Sequence, residues 1–278
     1  MMQQIGDEMQ DDTLALSHPF QSVESINILD LCMAPGGYTS SALKYNPGAT
    51  SFGITLPPNQ GGHVPLCPHS QANVRFLDIT MLAKEFGVDE PPKTHPEHAK
   101  FLDERPFYGR LFQLVFCDGQ VLRTHQRAEY REAHESRRLV VAQLILALQR
   151  IEDGGTLIML LHKIEAWDTV ELLYLFSQFS SIQGFKPKKK HGIRSSFYLI
   201  AKNVQPKSEA ARMAVETWKR SWWLATFGGA SGTGAYYELP DEEYVRTVLD
   251  RFGTELLELA RPIWETQAKA LSKMDFVN

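Results

Sequence analysis

Residues 28–38 read Ile28-Leu29-Asp30-Leu31-Cys32-Met33-Ala34-Pro35-Gly36-Gly37-Tyr38. The apolar run through Leu31 is of strand length, and the turn signal Ala34-Pro35-Gly36-Gly37 stops it. A helix is predicted from Tyr38 to Lys44. Glycines let the backbone pass close to a ligand, and the first N–H groups of a helix lack intrahelical partners. Strand, small-residue loop and helix in this order are the physical form of a nucleotide site at the carboxyl end of a parallel strand. The stretch is not Gly-x-Gly-x-x-Gly, and no Gly-Lys-Ser/Thr follows it. It therefore suits a ligand without phosphates.

Outward from this stretch, strands and helices alternate. Strands are predicted over Ser25–Leu31, Ser51–Leu56, Val74–Leu77, Leu111–Cys117 and Thr156–Leu161, with two closing strands over Phe185–Lys190 and Ser196–Lys202. Helices are predicted over Arg127–Ile151, broken by Gly154-Gly155, and over Trp167–Ser181. That alternation implies an α/β, Rossmann-like sheet, mostly parallel and covered on both faces. Residues 57–73 read as a Pro/Gly loop and residues 88–108 as a surface insertion. Beyond Pro206 the pattern turns helical. Ser208 caps a helix to Phe227, and Asp241 opens a long one that Pro262 is expected to kink. The expected organisation is an N-terminal tail or weak helix (1–24), an α/β domain (25–205) and a C-terminal helical extension packed on it (206–278).

Composition excludes several classes. A net charge of −4 gives no global positive field toward nucleic acid or anionic membrane. The longest nearly apolar run, Leu139–Leu148, contains Gln143 and is too short to span a bilayer. No Lys or Arg precedes Lys44, so neither a signal peptide nor an Arg-rich presequence is expected. Cys32, Cys67 and Cys117 are too few and too scattered for a disulfide framework or a zinc site. The expected location is intracellular, cytoplasmic or nuclear.

The wording Asp-Leu-x-x-Ala-Pro-Gly-Gly-Tyr resembles the first motif of the FtsJ-like, ribose 2′-O-methyltransferase family. The resemblance continues in order through Phe116-Cys117-Asp118-Gly119 and Gly154-Gly155-Thr156-Leu157-Ile158-Met159. It ends with Lys186-Pro187 and Arg194-Ser195-Ser196-Phe197-Tyr198-Leu199-Ile200. It implies a methyltransferase sheet with an antiparallel closing strand, S-adenosylmethionine as cofactor and an RNA ribose as acceptor. Carried over residue by residue, Asp30, Ala34, Pro35, Gly36, Gly37 and Tyr38 line the methionine and ribose side. Asp78, followed by Ile79, sits at the adenine, and Asp118 lies near the methyl donor. The usual acidic partner of the cofactor ribose is replaced by Thr55, whose hydroxyl makes one bond instead of a charge-assisted pair. On the residues alone, Asp30 could cap its loop, and Asp78 and Asp118 could be turn aspartates.

The family is also known for a Lys-Asp-Lys-Glu tetrad in which a lysine serves as base. Here no lysine stands upstream of the first motif, Leu160 takes the second lysine's place and Ser196 the glutamate's; only Asp118 remains. Lys163, three residues past Leu160, is the candidate substitute base, with His162 beside it. Three readings follow: RNA ribose methylation, an inactive pseudo-methyltransferase serving as a binding or scaffold module, or a methyltransferase retargeted to a small molecule. The local basic cluster Lys186, Lys188, Lys189, Lys190, His191 and Arg194 is either an RNA-phosphate contact or a solvated hairpin. Trp218, Trp222 and Trp223 are expected to pack the C-terminal helices, with base stacking as the alternative. A homo-oligomer is left open.

Overall fold

The computed structural model describes residues 1–17, 25–67, 72–236 and 240–274. Parts of the predicted N-terminal segment, the 57–73 loop and the C-terminal extension lie outside these residues. Seven strands form one sheet: β1 (Asn27–Leu31), β2 (Thr50–Thr55), β3 (Ala72–Phe76), β4 (Phe112–Cys117), β5 (Ile151–His162), β6 (Ser181–Phe185) and β7 (Ser196–Val204). Their order is β3-β2-β1-β4-β5-β7-β6. β1 through β5 pair in parallel, whereas β7 runs antiparallel to both β5 and β6. Chain order reverses between β1 and β4, so a crevice opens at their carboxyl ends.

Six helices cover the sheet: α1 (Met2–Thr13), α2 (Gly37–Tyr45), α3 (Glu135–Arg150), α4 (Trp167–Ser177), α5 (Glu209–Phe227) and α6 (Glu242–Leu271). On one face, α1 and α2 enclose a cluster that includes Ile5, Met9, Tyr38, Phe116, Leu160 and Tyr198. The other face carries α3 and α4, with α5 packed on them and α6 across α4 and β6. Ser208 and Asp241 cap α5 and α6 by accepting from Ala211 N and Tyr244 N. Trp222 is fully buried and Trp218 nearly so, while Trp223 stays half exposed.

Several predicted elements differ from those observed. Of the tail and the weak helix expected at the N-terminus, the described residues hold the second, a 12-residue helix that is packed instead of frayed, with Ile5 and Met9 fully buried. A Cβ added at Gly6 would lie 2.8 Å from Ser41 Oγ, which measures how closely α1 approaches α2. α3 starts at Glu135, not Arg127, because Arg131 turns inward to acidic partners before the helix begins. Gly154-Gly155 does not break that helix. α3 ends at Arg150, β5 starts at Ile151, and the glycines sit inside the strand where its pairing register shifts. The penultimate strand ends at Phe185 instead of starting there. Gly184 within it lies beneath Ile263 of α6, whose Cδ1 would be 2.8 Å from an added Cβ. Residues 88–108 are not wholly surface: His95 and Glu97 are buried.

Candidate active site

The crevice is a cavity of about 440 Å³, within the usual range of small-ligand pockets. Its lining includes residues 32–38 after β1, Thr55 at the end of β2, Asp78 and Ile79 after β3, and Asp118 after β4. Gly36 holds φ at +95°, a conformation that favours glycine, and serves as the N-cap of α2. Leu66 N donates to Pro35 O at 2.9 Å, which lays a strap from the second crossover across the loop. Tyr38 stacks on Phe116 at 5.7 Å between centroids, and its hydroxyl is hydrogen-bonded to that of Tyr198.

The carboxylates differ in their surroundings. Asp30 lies beneath the loop, 1% exposed. Its Oδ2 accepts from Thr39 Oγ1 at 2.5 Å, but its buried Oδ1 has no partner. Burial pushes its carboxyl up to about 6 against the opposing hydrogen bonds from Thr39. Asp118 is raised well above the usual carboxylate range by burial and by the negative charge of Asp30. Asp78 behaves oppositely. Burial would raise it, yet the Arg131 guanidinium holds it below its ordinary value. Its Oδ2 accepts from Arg131 Nη2 at 2.9 Å, while its Oδ1 accepts from Thr80 N and Thr80 Oγ1 and so caps the turn Ile79–Met81.

The remaining expected residues are not brought together. His162, the last residue of β5, and Lys163 just past it are exposed and are not part of the cavity lining. Lys163 has φ +47°, and its backbone N–H bonds Ser195 O. Leu160 sits opposite Tyr198 on β7 within the apolar cluster. The reading of Lys186 as an RNA contact is corrected. It is 5% exposed, and its ammonium donates to the carbonyls of His191, Arg194 and Ser196. Burial lowers that amine to about 8. Lys188 is tied to α1, its Nζ on Asp12 and its N–H on Glu8.

Sequence reading missed other participants. Arg131 and Glu135 line the cavity as an ion pair at 2.6 Å. Gln143, the lone polar residue in the apolar run of α3, accepts from Gly119 N at 2.8 Å and donates back to Gly119 O, fixing the turn after Asp118. Its isolation among apolar neighbours was the one available signal. Among the described residues no His/Cys/Asp/Glu group could hold a metal ion, and no helix is long and apolar enough to cross a membrane.

These residues fit S-adenosylmethionine. The half-buried Asp118 lines the cavity, and the buried Asp30, with one unpartnered oxygen, lies behind the loop. The negative charge of Asp30 acts on Asp118, an arrangement that favours a cationic ligand, and the cofactor carries a sulfonium and an ammonium. The sequence profile of the FtsJ-like methyltransferases matches residues 13–204. No curated protein matches the sequence. Among solved structures, a protein from Plasmodium falciparum described as a ribosomal RNA methyltransferase is 16% identical, with TM-score 0.46, covering 73% of this chain and 96% of that one. An rRNA methylase from Streptococcus thermophilus is 10% identical, with TM-score 0.42, covering 72% and 97%. Human methyltransferase-like protein 13, in complex with SAH, is 11% identical, with TM-score 0.41, covering 87% and 97%. With the profile spanning well over half of its residues, the chain belongs to the FtsJ-like methyltransferase family, whose cofactor is S-adenosylmethionine.

Proposed function

We propose that this methyltransferase binds S-adenosylmethionine across Asp30, Asp118 and Asp78 and delivers the methyl group to an acceptor other than an unactivated ribose 2′-hydroxyl. The observation that carries this reading is the burial of Leu160 opposite Tyr198, a position at which the family resemblance implies a lysine. The bound cofactor supplies an electrophilic methyl group. The chain must then provide a proton acceptor if the attacking group is a hydroxyl. A positioned base contributes roughly 10²–10⁴ in rate, and Leu160 contributes none. Tyr38 and Tyr198 do not substitute, because burial holds both phenols protonated.

Charge in the cavity supports a small acceptor without phosphates. Arg127 is paired with Glu132, and Arg131 with Asp78 and Glu135. The retargeted reading is therefore favoured over RNA, with Asp118 at the methyl end and Asp78 at the adenine end. Calorimetry with S-adenosylmethionine, followed by transfer of labelled methyl to unmodified RNA, tests it. Binding together with little or no RNA methylation is expected. Robust transfer to 2′-hydroxyls would overturn the reading, and loss of that transfer in Lys163→Ala would identify the base.

A further inference from the structure

We propose that residues 88–108, the segment between β3 and β4, form an acid-sensitive clamp on the cavity, with His95 as its latch and Glu97 as a positioning residue for Arg131. The His95 ring is 5% exposed and sits edge-on in an aromatic box, its centroid 5.2 Å from that of Phe101, 5.8 Å from Tyr130 and 5.3 Å from Phe227. These walls come from the segment itself, from the turn before α3 and from the end of α5. Nδ1 accepts from Glu97 N at 3.1 Å, and the ring also hydrogen-bonds the backbone of Thr226. A neutral imidazole has one acceptor nitrogen and one donor nitrogen, so these two bonds use it fully. A second proton would sit on Nδ1 and set a donor against the Glu97 N–H. The charged and titratable groups that face the ring are Glu97 of its own segment, Tyr130 and Arg131 of the turn before α3, and Arg138 of α3. The Thr226 backbone and the Phe227 ring face it from α5. Burial first, then Arg138, hold the imidazole below its ordinary value against the pull of Glu97.

Two links join the latch to the cavity. Glu97 is buried beside His95, and its Oε2 accepts from the Tyr130 hydroxyl at 2.7 Å and lies 3.5 Å from Arg131 Nη1. Arg131 lines the cavity and reaches Asp78 at 2.9 Å and Glu135 at 2.6 Å. Farther along the segment, Leu102 N donates to Met81 O at 2.8 Å, in the turn that Asp78 caps. Protonation of His95 takes away the acceptor of the Glu97 N–H and drives a charged ring out of the aromatic box, so both links slacken. The sign follows from linkage. Closing the clamp lowers the affinity of His95 for a proton, so the clamp is fully held above about 6.5, the ordinary value. It is released as pH falls from there through the lower value of the closed state. The consequence for ligand affinity rests on the reading of the cavity as the cofactor site; the latch does not.

Hydrogen exchange of the full chain at about pH 7 and about pH 5, corrected for intrinsic rates, tests the latch in the wild type. The amides of His98, Lys100 and Leu102, bonded to His95 O, Glu97 O and Met81 O, should lose protection at the lower pH while those of β4 keep it. Calorimetry with S-adenosylmethionine over the same range tests the coupling. The comparison is with His95→Asn, whose side-chain oxygen can accept from the Glu97 N–H but does not titrate; circular dichroism melts confirm that it is folded. Its affinity should fall less steeply on acidification than that of the wild type. Asp30 titrates in both proteins, so the difference in slope belongs to His95 and amounts to at most about tenfold per pH unit for one proton. Equal protection of the segment at both pH values would overturn the latch, and equal slopes in the two proteins would overturn the coupling. Failure of both proteins to bind at any pH would refute the cofactor reading instead, with the exchange result still deciding the latch.

Discussion

Asp118 and Asp78 show how one residue type is shifted in opposite directions on the walls of one cavity, with Asp30 buried behind the loop. Burial raises Asp30 and Asp118, and the negative charge of Asp30 adds to the rise at Asp118, whereas Arg131 lowers Asp78. The sign for stability follows from linkage. Asp30 titrates near 6 when folded and near 3.9 when unfolded, so between those values the native state binds more protons. Stability without cofactor should therefore fall as pH rises through about 4–6, the reverse of a salt-bridged aspartate, as melting curves across that range would show. Cofactor affinity should rise as Asp30 ionises over the upper part of the same window, because a negative Asp30 attracts the cation; calorimetry at successive pH values reads this directly. Asp118→Asn should raise the melting midpoint of the free protein by about 2–4 °C for each kcal/mol of repulsion relieved. The same substitution should weaken S-adenosylmethionine binding at least several-fold. A variant that melts lower and binds normally would show that the repulsion argument is wrong. The aspartates and the glycine loop were legible because each belongs to a contiguous motif. Arg131 was not, since its partner Asp78 is 53 residues away and nothing local marks an arginine that turns inward.

At the scale of elements, the cavity wall that carries Asp78 is held from behind by α5, beyond the residues that match the family profile. Trp222 Nε1 donates to Thr80 O at 2.9 Å, and Thr80 in turn donates to Asp78. The Trp222 ring packs edge-on against Phe86 at 4.8 Å. Trp222→Phe keeps much of the apolar contact but removes one donor, at a cost of about 1 kcal/mol. Because Arg138 also reaches Thr80 O, the turn should loosen without collapsing. The expected outcome is a cofactor affinity reduced about three- to ten-fold with the melting midpoint lowered only slightly, measured by calorimetry and thermal melts. Unchanged affinity would leave Trp222 a packing residue only. The helical period of α5 and α6 was readable from sequence, as were the caps at Ser208 and Asp241. α1 was readable only as one of two alternatives, tail or weak helix, because its fully buried apolar anchors are only Ile5 and Met9 and the buried Gln10 beside them is polar. So narrow a stripe leaves that choice open until the close approach at Gly6 is seen.

The whole molecule depends on its C-terminal helices for more than coverage. Trp218, Trp222, Phe227, Phe252 and Ile263 are each at most 5% exposed, and they join the same cluster as the sheet residues Leu157 and Leu199. Trp222 packs on Phe86 and Phe101, Phe227 on Phe101, and Trp218 on Phe176. Cutting the chain after Gln205 would remove these side chains and uncover their partners. Each large apolar group withdrawn from water is worth roughly 1.5–3 kcal/mol, and a domain of this kind has a net stability of only about 5–15 kcal/mol. Five such groups, with the surfaces they cover, are therefore comparable to the entire margin. The loss extends to the site, because the turn that carries Asp78 leans on Trp222. Residues 1–205 expressed alone should be insoluble or should lack a cooperative melt, and should not bind S-adenosylmethionine. A soluble fragment that unfolds cooperatively at the full-length midpoint would show that α5 and α6 are an appendage, and that the core closes without them.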